Sequence, residues 1–379
     1  MTPRISAERL LGDLAELARI GGRADGGVDR VAGTEADLEA RRWLAGRIEA
    51  AGLEARHDEI GNVFGRTPGS PGPWLLLGSH TDTVPAGGRL DGAYGVVAGL
   101  EVLRSLHEAG HPAAAAIEVV SFYDEEGVGA GGGLRGSTHL CSSPHVAELS
   151  GYLELHIEQG PRLEAEGLEL GVVEGIVGID RWDVVFRGAA NHAGTTPYAL
   201  RRDAGAAAGR LLHRLRDLVQ GVDPEMVANI GAVTLLPGAA NVVPGVARLV
   251  VEMRALAPDS LARAAAALRG EATAAAAEAD CEVELAPRSA VPPAPMAASM
   301  IAALEAACAG SGRPWRRLVS GAGHDAGRLA GLVPAGMLFV PSRGGVSHSP
   351  EEHTEEALLT QGAWVFQYAI LQTLGFPSS

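Results

Sequence analysis

WLLLGSHTD, residues 74–82, is an apolar run that ends directly in a histidine and an aspartate. Three further stretches have the same form: IEVVSFYDEE at 117–126, YLELHIEQG at 152–160 and GMLFVPSRGGVSHSPEE at 336–352. Short apolar runs of strand-forming residues are typical of strands buried on both faces. Ligands of an open α/β sheet bind beyond the carboxyl ends of its strands. We therefore expect the four polar ends to converge on one crevice.

Composition sets limits on the class of protein. A chain of 379 residues is longer than a single hydrophobic core usually organises, and its 46% hydrophobic residues are enough for two cores. We therefore expect two domains. The net charge of −15 argues against nucleic acid and anionic membranes as partners. Cys141, Cys281 and Cys308 form no zinc spacing and suggest a reducing compartment, so we expect a cytoplasmic protein. There is no signal-peptide pattern at the N-terminus and no uncharged apolar run of 18 residues, so no membrane span is expected.

Two patterns of elements divide the chain. Strand and helix signals alternate up to Gly178, which favours a mostly parallel sheet. Residues 180–285 then follow a β-α-β-β-α-β order, the ferredoxin-like split unit. We predict an α/β fold with a mixed, mostly parallel catalytic domain over 1–178 and 292–379. An α+β domain over 179–291 is inserted into it.

His80 is the first candidate metal ligand. Asp82 lies two residues on, where its carboxylate can accept the second imidazole N–H and orient the ring. The alternative is a capping aspartate beside a surface histidine. Asp91 follows in the glycine-rich GGRLDGAYG, where one carboxylate can bridge two metal ions. The alternative for Asp91 is a helix N-cap.

The remaining strand ends carry further candidates. Glu125 and Glu126 are adjacent and point to opposite sides of an extended chain, so one can bind metal while the other acts as general base. A solvated turn is the alternative for this pair. His156 and His348 add two imidazoles, each with a structural histidine as its alternative. Histidine with carboxylate and no nearby cysteine is the ligand set of a catalytic zinc or manganese site.

The inserted segment has polar clusters of its own. His192 in NHAGTTP can stabilise a developing oxyanion, and Asn241 lies in AANVVPG. Arg254 ends a strand and can bind a substrate carboxylate through a bidentate pair. A turn and an ion pair are the respective alternatives for NHAGTTP and Arg254.

Together these motifs resemble one family of enzymes. The chain is similar to the zinc-dependent N-carbamoyl-L-amino-acid hydrolases, allantoate amidohydrolases and β-ureidopropionases, within the wider aminoacylase and carboxypeptidase G type of di-metal amidohydrolases. The resemblance runs from GVDRVAGT at 27–34 to the C-terminal helix. Its motifs are GSHTDTVPAGGRLDGAYGVVAGLE, YDEEG, ELHIEQGP, ANHAGTTP, GAANVVPG, SGAGHDA and VSHSPEEHT.

The resemblance implies a role for each matching residue. One metal ion would be held by His80, Asp91 and His156, and a second by Asp91, Glu126 and His348. Glu125 would be the general base. It further implies that the substrate is bound by Gln159, His192, Asn241, Arg254 and His324, with Asp325 lining the same site. Two divalent ions, Zn²⁺ or Mn²⁺ with Co²⁺ or Ni²⁺ as further options, and a homodimer formed through the inserted lid domain are also implied.

The expected activity is hydrolysis of the C–N bond of an N-carbamoyl or related N-acyl amino acid by metal-activated water. The substrate is then a small molecule with a carboxylate. One alternative is an aminoacylase or dipeptidase in a specialised biosynthetic pathway, and another is a non-catalytic binding protein of the same fold. Departures from the family pattern favour a reshaped pocket. They are Gly129 and Ala130 where an Arg-Phe pair is usual, a short 137–151 connection and Tyr198 in place of Met.

Overall fold

The structure is a computed structural model that describes residues 3–128 and 132–376. The chain forms two compact units. The first comprises Met1–Ile176 and Pro295–Ser379, and the second comprises Val177–Ala294. None of the helices in the described part of the chain is long and apolar enough to cross a membrane.

The elements are numbered in chain order. The α-helices are α1 Ala7–Leu17, α2 Glu35–Ala50, α3 Ala93–Glu108, α4 Arg135–Ser142, α5 Arg162–Ala165, α6 Ala204–Val222, α7 Pro258–Glu278, α8 Ala298–Ser311, α9 Asp325–Leu329 and α10 Glu356–Thr373. The strands are β1 Glu54–His57, β2 Val63–Arg66, β3 Trp74–His80, β4 Ile117–Phe122, β5 Leu149–Ile157, β6 Leu170–Ile176, β7 Gly178–Arg187, β8 Asn191–His192, β9 Val227–Leu236, β10 Val242–Val243, β11 Val246–Ala255, β12 Glu282–Val291, β13 Ala294–Pro295, β14 Trp315–Ser320 and β15 Ala335–Val340. Short 3-10 turns cover Pro112–Ala116, Pro144–Glu148, Tyr198–Leu200 and Arg343–Gly345.

The main sheet brings the four polar strand ends together. Its strand order is β1-β2-β4-β3-β5-β15-β6-β13, with β14 paired to β6. The four apolar runs of the sequence are β4, β3, β5 and β15, which lie side by side and run parallel. Their carboxyl ends therefore meet at one edge of the sheet. The predicted mixed, mostly parallel sheet is confirmed.

Alternation along these strands separates the core from the site. Leu75, Leu77 and Leu155 join a large apolar cluster formed with α1, α2, α3, α8 and α10. His80 and His156 differ from these residues in parity, so their side chains project to the opposite face of the pleat. The apolar positions thus anchor the sheet while the imidazoles face away from that core.

Four strands of the main sheet, β1, β6, β13 and β14, were not predicted, and β6 and β14 are the longest of them. β6 has the sequence LGVVEGI, in which two glycines and a glutamate interrupt the apolar run. β14 has the sequence WRRLVS, with adjacent arginines that form ion pairs to Glu166 and Glu305. Both strands gain their stability from pairing with each other rather than from local pattern.

The second unit is a four-stranded antiparallel sheet with two helices. Its order β12-β7-β11-β9 places the first and fourth strands of the unit side by side, as in the ferredoxin-like split βαβ arrangement. A separate apolar cluster joins the inner side chains of the sheet to α6 and α7. β12 continues to Val291, beyond the predicted end at residue 285. Pro287 is tolerated inside β12 because β12 is an edge strand with a register shift there.

Candidate metal centre

The first donor group is formed by His80, Asp91 and His156. His80 ends β3, His156 is near the end of β5, and Asp91 directly precedes the turn into α3. Asp91 Oδ1 lies 3.2 Å from His156 Nε2 and 3.6 Å from His80 Nε2. All three residues are buried, and one donor atom from each lies within 4.8 Å of the others.

The second donor group shares Asp91 with the first. Asp91 Oδ2 lies 3.1 Å from His348 Nε2, and Glu126 Oε2 lies 3.5 Å from the same nitrogen. His348 has a φ of +56° and a side chain that is 49% exposed, so this group opens to solvent. Asp91 is thus the one carboxylate of the two groups that offers an oxygen to each.

Hydrogen bonds set which nitrogen of each buried ring is available. His80 Nδ1 lies 3.0 Å from the Asp82 carbonyl, and His156 Nδ1 lies 2.8 Å from the Ile157 carbonyl. A carbonyl oxygen only accepts, so Nδ1 donates in both rings. Gly92 N–H also donates to His156 Nε2 at 3.2 Å. Nε2 therefore carries the lone pair in both rings, and it is the nitrogen of each ring that would bind a metal ion.

Asp82 orients His80 through a different oxygen from the one expected. The imidazole N–H is taken by the Asp82 main-chain carbonyl, and the nearest carboxylate oxygen is 3.7 Å from Nδ1. The carboxylate instead accepts the main-chain N–H groups of Glu125 and Glu126 at 3.3 and 3.2 Å. Asp82 therefore ties the end of β3 to the turn that carries both glutamates.

The charges in the pocket suit cations. Burial opposes ionisation of Asp91, but three surrounding imidazoles hold its pKa well below the usual range. Burial raises the pKa of Glu125 well above its usual range and, with the charge of Asp91, raises the pKa of Glu126 to about 7. Carboxylates crowded in a buried pocket resist ionisation unless positive charge is near. The five residues, which offer three imidazole nitrogens and three carboxylate oxygens, therefore fit two divalent ions, which would supply that charge.

Gly92 is required by the packing of this centre. It begins the turn into α3 with a φ of +64°, a conformation that favours glycine. A Cβ at this position would also lie 2.4 Å from His80 Nε2. Any larger residue would displace a candidate ligand.

Gln159 and His324 lie beside the donors. Gln159 Nε2 donates to Asp91 Oδ2 at 2.8 Å, while its buried Oε1 has no hydrogen-bond partner among the described residues. His324 packs edge-on against the His156 ring, with ring centroids 4.6 Å apart, and its Nε2 is 2.9 Å from Ser320 Oγ. Burial and His156 hold the pKa of His324 well below its usual value. Burial and Glu154 raise the pKa of neighbouring Asp325 to about 8.

The other predicted substrate contacts lie in the second unit. β8 and β10 pair His192 with Val242, which places His192 beside Asn241, and both residues are exposed. Arg254 forms an ion pair with Glu252 at 2.8 Å, the alternative that its sequence context left open. Tyr198 is 85% exposed. Gly129 and Ala130, the main departure from the family pattern, lie outside the described residues.

Several buried polar residues near the centre were not anticipated from the sequence. Arg30 Nε donates to the Thr81 carbonyl between His80 and Asp82, and Arg30 Nη1 donates to the carbonyls of Leu17 and Ile20. Glu352 accepts main-chain N–H groups beside Asp91. The only sequence signals were an arginine among small residues in GVDRVAGT and the second glutamate of SPEE.

Comparison with known proteins agrees with this arrangement. An allantoate amidohydrolase of Bacillus subtilis strain 168 is 34% identical, with 95% of this chain and 96% of that protein covered. An N-carbamoyl-L-amino-acid amidohydrolase of Paenarthrobacter aurescens is 32% identical over 96% of this chain and 97% of its own length. A hydantoinase/carbamoylase family amidase of Burkholderia ambifaria has a crystal structure that superposes with a TM-score of 0.92 at 32% identity, covering 100% of both chains.

The profile that describes peptidase family M20/M25/M40 matches residues 76–372, which include both donor groups. That span is well over half of the chain. This protein belongs to the peptidase M20/M25/M40 family.

Proposed function

We propose that this chain is a di-metal amidohydrolase that cleaves the C–N bond of an N-carbamoyl (ureido) or related N-acyl amino acid. The observation that carries the proposal is the pair of donor groups sharing Asp91, with Glu125 beside them. Full-length relatives named for allantoate and N-carbamoyl amino acids support the ureido class. A non-catalytic binding protein of this fold would be expected to lack a metal-binding residue or the general base. The five metal-binding residues and Glu125 are all present.

The ligand donors would be His80, Asp91 and His156 for one ion and Asp91, Glu126 and His348 for the other. Zn²⁺ or Mn²⁺ suits this mixed nitrogen and oxygen set, and Co²⁺ or Ni²⁺ is also compatible with it. When bound, the ions lower the pKa of a water molecule and polarise the substrate carbonyl. Metal analysis of the purified protein, with activity measured after reconstitution with each ion, identifies the metal used.

Glu125 is the proposed general base. Its Oε2 lies 3.6 Å from His80 Nε2, and its main-chain N–H is held by Asp82. Oε2 takes a proton from the attacking water and returns it to the leaving nitrogen as the C–N bond breaks. His192 stabilises the negative charge that develops on the carbonyl oxygen. For a ureido substrate the products are an amino acid and carbamate, which yields ammonia and carbon dioxide.

Substrate binding is assigned to Gln159, His192, Asn241, Arg254 and His324. Arg254 is the proposed anchor for the substrate carboxylate. Its present partner Glu252 also pairs with Arg181 at 2.6 Å. Arg254 can therefore turn to a substrate without leaving Glu252 unpaired.

Arg254→Gln is expected to raise KM for a carboxylate substrate by about 10- to 100-fold, because a charged hydrogen bond contributes about 1.5–3 kcal/mol. The measurement is steady-state kinetics on N-carbamoyl-alanine and on its amide, which lacks the carboxylate. Arg248→Gln is the matched control, since Arg248 is exposed on the same face of β11. An equal rise in KM for both substrates would contradict the anchor role.

The second unit is the proposed lid and dimerisation domain, over 179–291, inserted in a catalytic domain over 1–178 and 292–379. β9 is an edge strand of its sheet, and β9 exposes Val227, Val233, Leu235 and Leu236. A long apolar edge strand is a template for pairing with a second chain. Light scattering should therefore give the mass of a homodimer. A cytoplasmic location, supported by the free Cys141, Cys281 and Cys308, can be checked by cell fractionation.

A substrate panel tests the reaction itself. N-carbamoyl amino acids, allantoate, N-acetyl amino acids and dipeptides are assayed with the Zn²⁺- and Mn²⁺-loaded protein. Ammonia release from the ureido compounds, in preference to amine release from the others, is the expected result. Exclusive cleavage of N-acyl amino acids or dipeptides would favour the aminoacylase or dipeptidase alternative in a specialised pathway. No turnover of any member would contradict the proposed activity.

A further inference from the structure

Glu352 is a buried carboxylate outside the two donor groups, and its side chain connects the loops that carry them. Its Oε1 accepts the main-chain N–H groups of Leu90 and Asp91 at 2.8 and 3.1 Å. Its Oε2 accepts the hydroxyl of Ser347 at 2.8 Å. The residue is 4% exposed, so these three contacts replace nearly all of its contact with water.

Each of these contacts is next to a candidate ligand. The two N–H groups belong to Asp91 itself and to the residue before it. Ser347 precedes His348, and its hydroxyl also lies 3.2 Å from Asp91 Oδ2. Glu352 therefore holds the main chain at Asp91 and, through Ser347, the loop that carries His348.

The chain makes room for this carboxylate at Gly88. A Cβ on Gly88 would lie 2.0 Å from the Glu352 carboxyl carbon and 2.0 Å from its Oε1. Glycine at this position is explained by the close approach of Glu352. A substitution at Gly88 would therefore displace the Glu352 carboxylate while leaving Glu352 itself unchanged.

The second donor group depends most on this connection. His80 and His156 lie at the ends of buried strands, whereas His348 is half-exposed in a loop with a positive φ. Burial therefore does little to hold the His348 ring in place. Its loop is held to the Asp91 loop through Ser347 and Glu352.

We propose that Glu352 is a positioning residue that holds Asp91 and His348 at the spacing needed for the second metal ion. This inference rests on the proposed metal centre. Mutation of a residue that hydrogen-bonds to a metal ligand and orients it typically lowers metal affinity by about 10- to 100-fold. Loss of Glu352 is therefore expected to weaken the second ion more than the first.

The test measures metal binding to the metal-free protein by calorimetric titration with Mn²⁺, with metal content measured after desalting. Wild type is expected to bind two ions per chain. Glu352→Ala should bind the second ion at least about tenfold more weakly. Glu352→Gln should stay within about threefold of wild type, because its amide oxygen can still accept both N–H bonds and its NH2 group can donate to the Ser347 hydroxyl oxygen. Glu351→Ala is the matched control, an exposed neighbour that should bind as wild type does.

Gly88→Ala should weaken the second ion as Glu352→Ala does, because the new Cβ displaces the carboxylate. If circular dichroism shows that Glu352→Ala is unfolded, the result for Gly88→Ala decides the test. Wild-type affinity for the second ion in Gly88→Ala, or in a folded Glu352→Ala, overturns the inference. So does Glu352→Gln if it binds as weakly as Glu352→Ala. Failure of the wild type to bind metal would instead overturn the proposed centre.

Discussion

Glu125→Gln is expected to lower kcat by about 10³-fold while leaving two metal ions bound, within the 10²- to 10⁴-fold range of general acid–base catalysis. The amide has the shape of the carboxyl group but has no basic oxygen to accept the proton from water. The hydrogen bond that fixes this residue comes from its main-chain N–H to Asp82, so the substitution leaves that contact in place. The measurement is kcat together with metal content of the same preparation.

The adjacent glutamate provides the matched comparison. Glu126 lies 3.5 Å from His348 Nε2 and belongs to the second donor group, whereas Glu125 belongs to neither group. Glu126→Gln should therefore lose metal as well as activity, while Glu125→Gln loses activity alone. A Glu125→Gln protein with kcat within tenfold of wild type would remove Glu125 from the role of base.

Asp91→Asn is expected to lose both metal ions and to fall to the activity of the metal-free protein. Asp91 is the carboxylate that both donor groups share, so one change removes a donor from each. The neutral amide also removes the negative charge to which three imidazoles are directed. The loss of affinity should exceed the roughly 100-fold that outer-residue substitutions cost.

Metal content and activity before and after chelation are the measurements for Asp91→Asn. Chelated wild type should match the variant, and added Zn²⁺ or Mn²⁺ should restore only the wild type. Asp25→Asn serves as the control, because Asp25 is an exposed aspartate that pairs with Arg23 on the surface. Two tightly bound ions in Asp91→Asn would show that Asp91 is not the shared ligand.

The parts of the fold predicted correctly were those with a strong local pattern. β3, β4, β5 and β15 each contain a short run of strand-forming apolar residues that ends in polar residues, which is typical of a strand buried in a sheet. β6 and β14 were missed, since glycines in one and arginines in the other hide the pattern. Their conformation comes from pairing between segments about 145 residues apart, a non-local effect.

The candidate metal centre also has features that a local pattern predicted and features that only the fold decided. His80, His156 and His348 were predicted as candidate ligands because polar residues at the ends of parallel strands share one edge of the sheet. Asp91 was predicted from its glycine-rich loop, and the choice of Glu126 over Glu125 came from the family resemblance. The structure brings all five residues together. The function of Asp82 was predicted less well. Its position two residues after His80 predicted that the Asp82 carboxylate accepts the imidazole N–H. In the structure the Asp82 main-chain carbonyl accepts that N–H, and the carboxylate accepts the main-chain N–H of Glu125 after β4.

By itself the sequence determined the apolar strands β3, β4, β5 and β15 and the polar residues at their ends, because these depend on local periodicity and because ligands bind at the carboxyl ends of parallel strands. Only the tertiary structure decided how the ligands are held. Glu352 and Leu90 are 262 positions apart, and no local pattern relates two such residues. The fold places the Glu352 carboxylate directly against Gly88, and the contact with Leu90 is possible because Gly88 has no side chain to occupy that space.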